Sequence, residues 1–285
     1  MRNGFISING RIQESSIPVL TAFDASFLYG FGVFETLRIY NGVPFMLQEH
    51  LDRMKEAATK LKLPFEHNYV KFRAYIQELI DYAQLNECVL RITLSKDSEN
   101  STNIVMTYRS VIYEQGSYDN GLMLKCSSVR RNPTTPLVYL KTNNYMENLI
   151  EKNLAMSEGF NEVLFLNIYN HVSECSTSNI FFMQDKKLCT PAVECGLLDG
   201  IARGLLTGKL AAAIGLEIET GKYSLGDFYN ADEVFITNSV MQIMPIVKID
   251  NMKIGNGIPG PITKSLIKSY DAYVAEYVRE TKGKY

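Results

Sequence analysis

Residues 139–155 read "YLKTNNYMENLIEKNLA", and within them Lys141 stands where a strand-like run gives way to an amphipathic helix. The reading of this one side chain decides the rest. Either it is a solvated surface charge, as most lysines are, or it is the reactive amine of an enzyme. Lys152, further along the same helix, carries the same charge, and nothing in the chain singles it out. Charge therefore does not separate the two readings, and the segment must be judged by what stands around it.

At 285 residues the chain exceeds what one small core fills, which predicts two domains or one large α/β domain. Its 46% apolar and 21% charged residues are those of an ordinary globular protein. A net charge of −2, with basic residues only in pairs such as Arg130-Arg131, Lys186-Lys187 and Lys282 with Lys284, offers no footprint for nucleic acid or an acidic membrane. No apolar stretch approaches the roughly 18 residues that span a bilayer. The five cysteines, Cys88, Cys126, Cys175, Cys189 and Cys195, form no C-x-x-C pair, and the N-terminus lacks an apolar signal core. A reducing, cytoplasmic compartment is expected. His50, His67 and His171 lie far apart, so no histidine-built zinc site, and no metal, is expected.

Upstream, "GFISINGRIQ" alternates around Asn9-Gly10, the signal of a tight hairpin, and "FLYGFGVFETLRIYNGVPFML" predicts another turning at Asn41-Gly42. "QEHLDRMKEAATKLKL" has Leu51, Met54, Ala58 and Leu61 at helical spacing, with Pro64 beyond its end. A second helix, "YVKFRAYIQELIDYAQL", precedes the strand-like runs "CVLRITLS" and "NIVMTYRSVIY". Turn residues then gather in "EQGSYDNG". The expected division is a smaller α+β domain over 1–115, a linker over 116–121 and a larger α/β domain over 122–285 that carries Lys141. The larger domain continues through the strands "EVLFLN" and "SNIFFMQ", the helix "IARGLLTGKLAAAIG", the strand "DEVFITN" and a closing helix from about Pro261 to Glu280. There is no internal repeat.

Four features could carry chemistry, and each has two readings on local grounds. Asp199-Gly200 caps a helix, and a helix N-terminus also holds phosphate on its backbone N–H groups. Thr237, Asn238 and Ser239 end a strand in small hydrogen-bonding residues, either a polar exit or a phosphate cradle. Arg53 borders the apolar face of its helix, where a guanidinium either snorkels or forks onto a phosphate. Glu174 sits in the turn "HVSECSTSNIFF", either solvated or facing a ligand. Their joint order along the chain adds what no single feature supplies: helix arginine, lysine, turn glutamate, glycine-capped helix, polar strand exit.

In that order, "FLYGFGVFETLRIYNG", "HLDRM", "LKTNNYMENLIEKNLA", "SECSTSNIFF", "GLLDGIARGLL" and "EVFITNSVMQIMPI" together resemble the fold-type IV, or class IV, pyridoxal-phosphate enzymes. That family comprises branched-chain and D-amino-acid aminotransferases and 4-amino-4-deoxychorismate lyase. The resemblance implies the D-amino-acid aminotransferase-like fold, a homodimer, and pyridoxal 5′-phosphate as cofactor. It further implies that Lys141 forms the Schiff base and moves protons, and that Glu174 faces the pyridine nitrogen. Arg53, Ile201, Ala202 and Ser239 would hold the phosphate, with Thr237 and Asn238 close by, and Tyr145 would meet the 3-hydroxyl.

Within the family the chain leans toward the lyase. "KDSENSTNI" lacks the Arg-x-His trap of D-amino-acid aminotransferases, and Val89 replaces the tyrosine that precedes Arg91 in branched-chain ones. The forms "GVFET" and "TNSVM…MPI", and Cys175 after Glu174, look most like aminodeoxychorismate lyases. The resemblance then implies conversion of 4-amino-4-deoxychorismate to 4-aminobenzoate and pyruvate, in folate biosynthesis. Tyr29, Arg91 and Arg38 are the candidates for the substrate carboxylates. A class IV aminotransferase is the alternative; a non-catalytic cofactor-binding scaffold is another, and it predicts loss of the lysine or the acid.

Overall fold

The computed structural model describes residues 4–65, 68–99 and 101–282, so His67 lies outside the described residues. The chain divides into one unit of Met1–Ile112, Leu140–Asn144 and Val274–Tyr285, and a second of Tyr113–Tyr139 and Tyr145–Tyr273.

In the first unit, strands β1 (Phe5–Ile8), β2 (Arg11–Glu14), β3 (Gly32–Tyr40), β4 (Val43–Pro44), β5 (Cys88–Lys96) and β6 (Thr102–Arg109) form a sheet of order β2-β1-β6-β5-β3-β4 among the described residues. Both Asn-Gly turns take left-handed backbone at both residues, with φ of 51° and 87° at Asn9-Gly10 and 52° and 76° at Asn41-Gly42. That is the conformation a two-residue hairpin requires. Helix α1 (Ala25–Tyr29) precedes β3, and α2 (Leu47–Lys60) and α3 (Tyr69–Ala83) lie between β4 and β5. Alternation along β3 and β5 sends Val33, Leu37, Ile39, Leu90, Ile92 and Leu94 into one core with Leu51, Met54 and Ala58 of α2 and Phe72, Ile76 and Leu79 of α3. The register pairs Phe34 with Thr93 and Thr36 with Arg91, so the opposite face of the same strands is partly polar.

The lysine segment adds to this sheet. Beside the first residues of β3, the N–H of Phe34 donates to the Lys141 carbonyl and the N–H of Asn143 to the Gly32 carbonyl, both at 2.9 Å, with Val33 bridged to Thr142. This pairing groups Leu140–Asn144 with the first unit, where the expected division had Lys141 in the larger domain. The strand-like run before the lysine is instead a single tight helical turn, Pro136–Tyr139. Residues expected as a linker form helix α4 (Gln115–Asn120), which Tyr118 anchors by donating its hydroxyl to the Met241 carbonyl at 3.0 Å.

The second unit contains β7 (Leu122–Arg131), β8 (Glu162–Asn167), β9 (Val172–Cys175), β10 (Asn179–Gln184), β11 (Lys187–Pro191), β12 (Glu217–Gly221), β13 (Glu233–Asn238), β14 (Gln242–Ile249) and β15 (Met252–Lys253). Their order is β12-β11-β10-β13-β14-β7-β8-β9, with β15 on β14. Parallel pairs β11/β12, β14/β7 and β7/β8 are interleaved with antiparallel ones. The helices are α5 (Met146–Ser157), α6 (Ile201–Leu205), which widens through a π turn into α7 (Ala211–Ala213), α8 (Leu225–Tyr229) and the first part of the closing α9 (Pro261–Thr281), whose residues from Val274 belong to the first unit. The core runs through Leu164, Ile180, Phe182, Val234, Ile236 and Met244.

Among the described residues no helix is long and apolar enough to cross a membrane, and no cluster of His, Cys, Asp and Glu is arranged to hold a metal ion.

Candidate active site

In the first unit, Lys141 lies directly across from Phe34, on the polar face of the sheet. Its Nζ sits 4.5 Å from the centroid of the Phe34 ring, and the Arg91 guanidinium lies 3.6 Å from the same centroid. Arg91 also donates through Nε to Thr93 Oγ1 at 3.2 Å and approaches Asn143 Oδ1 at 3.4 Å. Gly32 has no side chain because Asn143 occupies its place: a Cβ there would meet Asn143 Nδ2 at 2.4 Å. One aromatic ring thus contacts two cations.

Arg53 is held from below. Its Nε and one terminal nitrogen donate to the two oxygens of Glu35 at 2.8 and 2.7 Å, and His50 Nδ1 donates to Glu35 at 2.6 Å. His50 and Arg53 share a helix face at three-residue spacing. Burial pushes the Glu35 carboxyl up, but Arg53 and then His50 reverse this and hold it down at about 2. Burial lowers His50, with Arg53 and Lys141 adding to the effect against Glu35, so the ring is neutral. The motif reading missed Glu35 and His50. The signal was present in "VFETLRI", where an acid occupies the core phase of an apolar alternation shared with Val33 and Leu37.

The candidate substrate residues differ in surroundings. Arg91 is at the lysine. Arg38 is on the same face but is tied to Glu87 at 3.3 Å and stacked on Tyr40, toward the far end of β3. Tyr29 is 71% exposed at the end of α1.

In the second unit, Glu174 lies near the end of β9, and its Oε2 accepts from the Leu198 N–H at 3.2 Å, with Asn179 Nδ2 at 3.5 Å. Asn179 also donates to the Leu198 carbonyl at 2.8 Å, and a Cβ on Gly200 would meet its Oδ1 at 2.1 Å. Gly200 is the N-cap of α6 and brings no capping side chain to the N–H groups of Ile201 and Ala202, while Asp199 pairs with Arg203 at 2.8 Å. Asn179 faces Thr237 across the β10/β13 ladder, so the strand exit joins the same neighbourhood. There Thr237 donates to the Gln242 carbonyl at 2.6 Å, and Asn238 caps Val240 and Met241 at 2.8 Å each. Those two side chains build the turn on which Ser239 sits. Tyr145 occupies the N-cap of α5. Asn179, which the motif reading passed over within a polar cluster, is the residue common to the acid and the helix start.

The first unit carries an amine and a guanidinium, and the second a carboxylate and a helix N-terminus. The residues fit a phosphorylated pyridine aldehyde, most plainly at Gly200, where any side chain would fill the cradle beside Asn179.

Comparison with known proteins agrees. Residues 32–249 match the amino-transferase class IV family. The chain is 32% identical over 289 aligned positions to the aminodeoxychorismate lyase of Bacillus subtilis, covering 98% of both. It is 27% identical to the D-alanine aminotransferase of Listeria innocua, covering 96% of each. The solved branched-chain amino acid aminotransferase of Escherichia coli superposes with a TM-score of 0.86 at 25% identity, covering 99% of this chain and 96% of that one.

Proposed function

The chain belongs to the class IV aminotransferase family and is therefore a pyridoxal-phosphate-dependent enzyme, and from that premise we propose that it is an aminodeoxychorismate lyase. The observation that carries this reading is the end-to-end similarity to the B. subtilis lyase. The "GVFET" strand supports it: Thr36 stands directly opposite Arg91 on the face that carries Lys141.

When bound, the cofactor supplies an electron sink next to the substrate's amino-bearing carbon. The chain's residues do the rest. Lys141 would hold the cofactor through its amine and, with 4-amino-4-deoxychorismate bound, would remove the C4 proton as a general base. The C3–oxygen bond then breaks, the enolpyruvyl group leaves and takes up a proton to become pyruvate, and the ring becomes aromatic. The products would be 4-aminobenzoate and pyruvate, as in a step of folate biosynthesis. Glu174 would keep the cofactor's ring nitrogen protonated, and Tyr145 would meet its 3-hydroxyl. Arg53, the N–H groups of Ile201 and Ala202, and Ser239 would hold the phosphate, with Thr237 and Asn238 shaping the turn that carries Ser239. Arg91 receives a substrate carboxylate, and Tyr29 and Arg38 are placed second.

A homodimer accompanies this reading. Helix α5 turns Met146, Leu149, Ile150 and Leu154 outward as one exposed apolar stripe, the kind of surface a second copy covers. A cytoplasmic location goes with the free thiols.

The test is a lyase assay without added keto acid. Pyruvate and 4-aminobenzoate in equal amounts are expected from purified protein and 4-amino-4-deoxychorismate. Turnover that needs an amino-acid and keto-acid pair would instead establish the transaminase reading, which the Listeria relative favours. The scaffold reading requires loss of the lysine or acid, and Lys141 and Glu174 are both present.

A further inference from the structure

Glu162, the first residue of β8, is almost fully buried, and its carboxylate is the hub of a small polar cluster in the second unit. Oε2 accepts from Lys152 Nζ at 2.9 Å; Oε1 accepts from Ser176 Oγ at 2.5 Å and from the Val163 N–H at 2.9 Å. Thr177 Oγ1 approaches Oε2 at 3.4 Å. Ser176 and Thr177 belong to the turn that follows Glu174. Their carbonyls are held as well: Asn148 Nδ2 donates to that of Ser176 at 2.6 Å and Asn238 Nδ2 to that of Thr177 at 3.1 Å. The N–H of Cys175 closes the turn on the Ser178 carbonyl at 2.8 Å.

A buried ion pair is a poor way to gain stability, because desolvating two charges offsets most of their attraction, and apolar residues of similar size do as well or better. What the pair provides here is direction. A carboxylate fixed by an ammonium has lone pairs left only along set lines, and two of those lines end on the hydroxyls beside Glu174. Burial lowers Lys152, but the charge and hydrogen bond of Glu162 outweigh it and keep the amine protonated.

We propose that Lys152 and Glu162 are positioning residues that fix the Ser176–Thr177 turn and thereby the angle at which Glu174 meets the ring nitrogen of the cofactor. This rests on the proposed role of Glu174. It gives the second lysine of the opening segment a function distinct from that of Lys141: one acts by its amine, the other by holding a carboxylate still.

The double variant Lys152→Met with Glu162→Leu separates positioning from stability, since an apolar pair preserves packing. Purified as holoenzyme, it is expected to melt near the wild-type temperature. The visible absorbance of its bound cofactor and the pH titration of that band should shift, and kcat should fall by about tenfold to a hundredfold with KM little changed. Ser176→Ala, which removes one hydrogen bond and leaves the pair intact, covers the case in which the double variant fails to fold. It should shift the same spectrum in the same direction by less. Glu174→Gln is the marker. If it alters the spectrum while the folded variants match wild type in spectrum and kcat, the positioning role is overturned alone. If Glu174→Gln leaves the spectrum unchanged, the role of Glu174 falls, and the positioning role with it.

Discussion

Phe34 and Lys141 meet twice: the Phe34 N–H holds the Lys141 carbonyl at 2.9 Å, and the Phe34 ring lies 4.5 Å beneath Lys141 Nζ. The backbone contact does not depend on the Phe34 side chain, whereas the ring contact, shared with Arg91 at 3.6 Å, does. Phe34→Leu keeps an apolar side chain but removes both cation–π contacts, each worth about 0.5–2 kcal/mol. Substrate KM should rise and cofactor retention should weaken, with the melting temperature little changed. Wild-type KM and cofactor affinity in a folded Phe34→Leu protein would show that the ring only fills space.

Glycine substitutions should divide sharply by position. At Gly32 a Cβ would lie 2.4 Å from Asn143 Nδ2 and 2.8 Å from the Leu94 carbonyl, which is backbone and cannot swing away. Gly32→Ala should therefore destabilise by about 1–3 kcal/mol and loosen the lysine segment from β3. At Gly204, in α6, an added Cβ meets nothing within 4 Å. Gly204→Ala should be neutral or stabilise by up to about 1 kcal/mol. Denaturant melts of the two variants measure this, and equal losses would contradict it.

These contacts mark where sequence reasoning reaches and where it stops. The turns at Asn9-Gly10 and Asn41-Gly42 and the helix face of Leu51, Met54 and Ala58 were legible because their causes are local: left-handed backbone and a helical repeat. The family was legible because the motifs stand together in the order they have in class IV enzymes. The pairing of the Lys141 segment with β3 was not, since its two hydrogen bonds reach back to Gly32 and Phe34, and a tight turn rather than a strand precedes it. Nor was the Glu162 carboxylate under Ser176, because a buried acid at the start of a strand looks like any polar strand edge. What was missed is what depends on pairing across distance in the chain.

The two arginines on the polar face should behave differently. Arg91 lies beside Phe34 and Lys141, so Arg91→Ala should raise KM for a carboxylate substrate by about tenfold or more, the worth of a charged hydrogen bond. Arg38 is committed to the half-exposed Glu87 at 3.3 Å, and Arg38→Ala should change stability by less than about 1 kcal/mol and KM hardly at all. Steady-state kinetics on the two variants decide it, and a larger KM effect at Arg38 would reverse the assignment.

The Glu35–His50–Arg53 cluster sets an acid limit on stability. Unfolded, the Glu35 carboxyl titrates near 4.5; folded, Arg53 and His50 overcome the upward push of burial and hold it at about 2. Between these values the unfolded chain binds a proton that the native state does not, so the stabilisation is complete above 4.5 and is lost as the pH falls toward about 2. A shift of that size corresponds to about 3 kcal/mol. His50 acts in the same sense and earlier. Burial depresses its folded value below 6.5, so acidification protonates the unfolded imidazole first and draws the equilibrium toward unfolding. Melting temperature should therefore begin to fall below about 6.5 and fall more steeply below about 4.5. Glu35→Gln should start from a lower melting temperature, because Arg53 and His50 lose their shared carboxylate, yet show a flatter acid limb. Parallel limbs for the variant and the wild type would place the acid sensitivity in another carboxylate.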